Sequence, residues 1–108
     1  MKNKIHYSPK ALRDLDEIWD YIVFDFSNSD AAERIVDSIQ DAIDGLEIFP
    51  EQGKPLSSVT NIETDYRFLV CGKYLAFYLV KGNDVYIDRI LYGGRDYLRI
   101  LFGDMLSE

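Results

Sequence analysis

The chain has 108 residues, with 19 Asp and Glu against 12 Lys and Arg for a formal charge of −7, and is 47% hydrophobic and 14% aromatic. That length allows one domain with one core, spanning residues 1–108, and the aromatic content excludes a disordered acidic tail. The longest apolar run, Tyr74 to Val80, is far short of the roughly 20 residues of a membrane span.

No signal-peptide stretch follows the first residues. The lone Cys71 cannot close an intramolecular disulfide, so the cytoplasm is the expected location. The acidity alone argues against a polyanionic partner. Its distribution changes that reading. Residues 1–53 carry 5 basic and 12 acidic side chains, whereas residues 54–108 carry 7 of each. The negative excess belongs to the first half.

Lys2 to Tyr7 alternates, with Ile5 and Tyr7 on one side and Lys4 and His6 on the other, and predicts a short strand. Ser8-Pro9 then reads as an N-cap with proline at the first helical position. Leu12, Leu15, Ile18, Trp19, Ile22 and Phe26 follow at spacings of three and four, which predicts a helix over Pro9–Phe26 with these residues in the core. Ser27-Asn28-Ser29 is a turn. Asp30 with Glu33 resembles a capping box, and a second stripe predicts a helix over Ala31–Ile48, stopped by Pro50. The two helices form a hairpin with acidic outer faces.

Pro50 to Asp65 reads as a surface loop. From Tyr66 the period changes. Tyr66–Cys71, Lys73–Val80 and Asp84–Tyr92 are rich in strand formers, and Gly82-Asn83 between the last two is a hairpin turn. A last short helix, capped by Asp96, puts Leu98, Leu101, Phe102 and Met105 on one face. The order β-α-α-β-β-β-α gives an α+β fold with the helical hairpin on an antiparallel sheet.

One His and one Cys in distant elements cannot build a zinc site, and neither phosphate-loop fingerprint is present, so no metal and no small-molecule cofactor is expected. His6 reads as an exposed strand histidine and Cys71 as a small buried hydrophobe. The helix carboxylates read as a solvated face. What remains is Arg67, Arg89, Arg95 and Arg99 in the sheet half, interleaved with Tyr66, Tyr74, Tyr78, Tyr86, Tyr92 and Tyr97. These residue types grip phosphates and stack on bases. The alternative is that the arginines form ion pairs with Asp65, Asp88 and Asp96.

Tyr66-Arg67-Phe68-Leu69-Val70, Gly72-Lys73-Tyr74, Val85-Tyr86-Ile87-Asp88-Arg89-Ile90-Leu91-Tyr92 and Gly93-Gly94-Arg95-Asp96 together resemble the RelE/ParE superfamily of toxins from type II toxin–antitoxin systems, also called plasmid-stabilisation proteins. Tyr7-Ser8-Pro9-Lys10-Ala11-Leu12-Arg13-Asp14-Leu15 and Ile48-Phe49-Pro50-Glu51-Gln52-Gly53 extend the resemblance over essentially the whole chain. It implies a cognate antitoxin that wraps the toxin through a segment folding on binding.

Two activities occur among such relatives: ribosome-dependent cleavage of mRNA, and inhibition of DNA gyrase without nuclease activity. For an endoribonuclease, the resemblance assigns Arg67, Arg89 and Arg95 to phosphate or transition-state contacts and Tyr92 to proton transfer or stacking. Leu75 and Gly94 stand where nuclease-type relatives carry basic residues. A third possibility is a degenerate toxin kept as an antitoxin-binding module. The residue chemistry of four arginines and Tyr92 gives the nuclease reading a slight edge.

Overall fold

The computed structural model describes residues 2–106. The elements run β1 (Lys4–Tyr7), α1 (Pro9–Phe26), α2 (Ser29–Asp44), β2 (Lys54–Pro55), β3 (Arg67–Cys71), β4 (Tyr74–Lys81), β5 (Asp84–Tyr92) and α3 (Tyr97–Leu106), with 3-10 turns at Gly45–Glu47 and Leu56–Ser58. The sheet order is β1-β5-β4-β3-β2. β2 to β5 are antiparallel, and β1 joins parallel to β5 with Tyr7 opposite Ile87. The α+β architecture matches the sequence expectation.

Ser8 caps α1, its Oγ accepting from the Ala11 N–H at 2.9 Å while Pro9 opens the helix. α2 starts earlier than expected. Asn28, not Asp30, is its cap, with Oδ1 accepting from the N–H groups of Asp30 and Ala31. The helix gives way to a 3-10 turn at Gly45, so it does not reach Ile48. Gly72 and Gly82 adopt positive φ of 63° and 60° in the β3–β4 and β4–β5 turns, a conformation that glycine enters without Cβ strain.

Side chains along β4 alternate between two apolar layers. Ala76 and Tyr78 pack with Ile18, Ile22, Ile39 and Ile43 of the helical hairpin. Phe77 faces the other way, joining Leu56 and Leu91 under Tyr97, Leu98, Leu101 and Phe102 of α3. Each fully buried Ile or Leu contributes about 1.5–3 kcal/mol relative to exposure. Asp96 immediately precedes α3, its Oδ1 accepting from Arg99 N at 3.4 Å, and the helix kinks at Phe102 (φ −131°, ψ 30°). The Met105 side chain lies outside the described residues.

Two expected core residues of α1 are exposed: Leu12 at 51% and Phe26 at 62%. Leu12 falls on the outward edge of the stripe, and Phe26 lies in the last turn. Trp19 is half-buried against the core.

Candidate functional site

β1 ends at Tyr7, opposite Ile87, so β5 continues without a strand on that edge. The start of α1 fills the gap. The Ser8 N–H donates to Ile87 O at 2.9 Å, and Ser8 Oγ donates to Asp88 O at 2.7 Å. Further along α1, the buried Asp14 accepts from the Ile90 N–H at 2.9 Å. Its two oxygens also take Arg89 Nε and Nη2 at 2.8 and 2.9 Å. A carboxylate thereby replaces a neighbouring strand, and the bidentate bond from Arg89 fills its remaining acceptor sites. Those hydrogen bonds push Arg89 above the usual arginine value, more than burial lowers it.

β5 carries an irregularity here. Phe77 pairs with Arg89 and Tyr78 with Ile87, leaving Asp88 as the extra residue. Such a bulge bends the strand and re-aims its side chains. The Asp88 carboxylate accepts from the Tyr66 hydroxyl at 2.6 Å. Burial first, and that bond second, raise the Tyr66 pKa.

Beyond the bulge, the hairpin and the sheet diverge to leave a cleft of about 770 Å³. Its floor is apolar, with Ile18, Ile22, Ile35 and Ile90; Tyr21, Phe26, Tyr74 and Tyr92 form an aromatic wall. Lys73 and Arg95 supply cations at the mouth, and Glu17 an anion. The Tyr74 and Tyr92 rings meet edge to face at 6.0 Å. Burial raises the Tyr74 pKa, with smaller contributions from Tyr21 and Tyr92. Gly93 N–H donates to Lys73 O at 2.8 Å, tying the end of β5 to the β3–β4 turn. A Cβ at Gly94 would overlap the Tyr92 ring. The glycine is what lets the Tyr92 ring lie back over the chain.

Of the four site residues read from the sequence, the structure brings Tyr92 and Arg95 together at this cleft. Arg89 sits beside it, bound to Asp14. Arg67 lies elsewhere, opposite Tyr78 rather than Tyr74 on β4. It donates to Gly53 O at 2.7 Å and approaches Glu51 Oε2 at 3.5 Å. Tyr78 secures the same loop, donating to Pro50 O at 2.8 Å and accepting from Gly53 N at 2.9 Å. Gly53 has no room for a side chain, since a Cβ would come within 2.6 Å of both Phe68 O and Tyr78 Oη.

The arginine ion pairs exist, with different partners from those expected. Asp14 and Glu51 pair with Arg89 and Arg67, and of the expected aspartates only Asp96 takes an arginine, the exposed Arg99 at 3.2 Å. Arg95 makes no ion pair among the described residues. Tyr97 packs on Phe77 at 5.2 Å on the far face, and Tyr86 stacks on His6 at 5.0 Å, so neither reaches the cleft. His6 also pairs with Asp84 at 2.8 Å. Burial pushes the Cys71 thiol up to about 11.

Asp14 is the residue the sequence reading missed. Its signal was its place, three after Ala11 and four before Ile18, inside the buried stripe rather than on the acidic face. Among the described residues no three His, Cys, Asp or Glu converge as a metal site, and no helix is long and apolar enough to cross a membrane.

A family model described as "ParE toxin of type II toxin-antitoxin system, parDE" matches residues 5–97. A protein of Sinorhizobium fredii named "Putative toxin Y4kP" is 43% identical over 54 residues, 50% of this chain and 54% of that protein. The match thus spans about half the length of that curated relative. Among solved structures, the chromosomal ParDE toxin–antitoxin system from P. aeruginosa superposes with a TM-score of 0.71 at 25% identity, covering 84% of this chain and 96% of that one. The toxin–antitoxin complex RelBE2 from Mycobacterium tuberculosis shares the fold, with a TM-score of 0.63 at 20% identity over 85% of this chain and 99% of that one.

Proposed function

Because the chain belongs to the ParE toxin family of type II toxin–antitoxin systems, we propose that it is held inactive by a cognate antitoxin protein and, when released in the cytoplasm, inhibits DNA gyrase without cutting RNA. One observation carries the choice of mechanism. Two of the three arginines that a nuclease reading needs, Arg67 and Arg89, bind the protein's own carboxylates and carbonyls.

Cleavage of RNA by its 2′-hydroxyl needs a proton acceptor, a proton donor and cations converging on one phosphate. The cleft offers Tyr92, Arg95 and Lys73 around an apolar floor of isoleucines. An apolar floor with an aromatic wall and a few cations suits the side chains of another protein better than a ribose-phosphate backbone. Tyr92 and Arg95 then act as interface anchors, a role that aromatic and arginine residues fill often. The net charge of −7 also disfavours docking on ribosomal RNA.

The test adds purified chain to gyrase with relaxed plasmid and, in parallel, to a translating ribosome preparation. Loss of supercoiling with intact mRNA supports the proposal. Cleavage of mRNA within the ribosomal A site, with supercoiling unaffected, overturns it in favour of the endoribonuclease. Absence of growth arrest on induced expression would instead mark a degenerate, antitoxin-binding module.

A further inference from the structure

The cleft between hairpin and sheet is closed at its floor and open along its aromatic wall. Ile22 and Ile90 are 1% exposed, whereas Tyr21, Phe26 and Tyr92 are 59%, 62% and 47% exposed. Ile35 and Tyr74 are half-buried. Four rings and one isoleucine thus leave apolar area in water around a space of about 770 Å³. Clefts that take small molecules measure about 300–1,000 Å³ and bury most of the ligand against such surface.

The charged groups of the cleft fall into two kinds. Asp14 spends both oxygens on Arg89 and the Ile90 N–H, and among the described residues no buried side-chain nitrogen or oxygen lacks a partner. The body of a ligand therefore needs no hydrogen bond in the floor. Lys73 and Arg95 are exposed, and neither forms an ion pair among the described residues. Backbone bonds fix the turns that carry them, Gly93 N–H donating to Lys73 O at 2.8 Å and Arg95 N–H to Tyr92 O at 3.0 Å. Both cations come from the sheet, whereas Glu17, the other carboxylate of the lining, comes from α1.

We propose that the cleft is a regulatory small-molecule site for an aromatic monocarboxylate, whose binding shuts the toxin off. The regulatory part rests on the reading above that the cleft meets the protein's target, since an occupied cleft is closed to that target. A flat fused-ring body packs offset or edge to face against Tyr21, Phe26, Tyr74 and Tyr92. Its carboxylate accepts charge-assisted hydrogen bonds from Lys73 and Arg95. The aromatic wall selects a planar ring system over a straight acyl chain, because rings gain oriented contacts beyond the area they bury. Two cations select an acid over an amine, and Glu17 leaves a single net positive charge that matches a monoanion.

The probe is anthracene-2-carboxylate, titrated into the full chain and followed by its own fluorescence anisotropy. Amide chemical shifts of Gly72, Gly93 and Gly94 locate it. Comparators are the matching anthracenylmethylammonium and decanoate. The carboxylate should bind saturably, move those three amides, and exceed both comparators in affinity by about tenfold, the worth of one charge-assisted hydrogen bond or a few oriented ring contacts. Arg95→Gln and Lys73→Gln, at exposed positions that tolerate substitution, should each weaken it by about tenfold. In a supercoiling assay the probe should relieve inhibition by the chain, at concentrations that leave gyrase alone unaffected.

Absence of saturable binding, or shifts confined to amides away from the cleft, overturns the inference. So does equal affinity for the ammonium or for decanoate, or undiminished affinity in the two glutamine variants. Selective binding that leaves supercoiling inhibited overturns the regulatory role. The gyrase reading fails separately. If the chain never inhibits gyrase while selective, variant-sensitive binding persists, the carboxylate site stands and the gyrase reading falls. If the chain inhibits gyrase and the probe does not bind, the gyrase reading stands and the carboxylate site falls.

Discussion

Arg89 and Arg95 are six residues apart at the end of one strand and have opposite fates. Arg89 is clamped by both oxygens of a buried aspartate, whereas Arg95 sits exposed at the mouth of the cleft. The difference comes from the edge of β5. Where β1 has ended, the backbone N–H of Ile90 needs an acceptor. Asp14 supplies it, and a buried carboxylate then requires a cation. The nearest arginine becomes part of the scaffold, and only the next one is left to meet another molecule. A cluster of arginines in a sequence is therefore not yet a binding site.

The largest test of this contrast is Asp14→Ala. It strands the Arg89 guanidinium and the Ile90 N–H, and should cost about 3–5 kcal/mol in urea unfolding. A loss below about 1 kcal/mol would mean that the strand edge does not depend on Asp14. Next, Arg67→Ala removes the charged hydrogen bond to Gly53 O and should cost about 1.5–3 kcal/mol, and Gly53→Ala about 1–3 kcal/mol through overlap with Phe68 O and Tyr78 Oη. Either loss should appear together with faster proteolysis in the 50–53 loop.

A smaller effect comes from pH. Cys71 and Tyr7 are neutral when protonated, and burial raises them from 9.0 to about 11 and from 10.0 to about 12. For Tyr7, the nearby Asp44 adds to the effect of burial. The stability that favours the protonated forms is complete below pH 9 and is lost as pH rises through 11 and 12. Thermal melting should fall over that window, and Cys71→Ala should flatten the lower part of it. Smallest in stability is Arg95→Ala, within about 0.5 kcal/mol as for other exposed positions. The same change should abolish growth arrest. A variant that stays fully toxic would remove Arg95 from the interface.

Much of the fold was legible because its signals are local. Ser8-Pro9 announces α1 by cap chemistry, and Gly82 turns the β4–β5 hairpin by its positive φ. What could not be read depends on distant partners. β1 pairs with β5 across some 80 positions, and the two-residue strand Lys54–Pro55 exists only because β3 offers it an edge. The capping of α2 by Asn28 rather than Asp30 was local but ambiguous, since both residues are good caps. At the site, Tyr92 and Arg95 were chosen by residue type, which held no information about which arginines the scaffold would bind. The acidic excess did point to the hairpin, whose two helices expose nine carboxylates.

The most direct measurement is growth arrest by the double variant Asp14→Asn/Arg89→Gln, with folding verified by thermal melting. Amide side chains at these two positions keep an acceptor for the Ile90 N–H and remove both charges. If Arg89 only positions β5, the folded double variant remains toxic and still blocks supercoiling. A folded double variant without toxicity would contradict the account and return Arg89 to direct contact with the target.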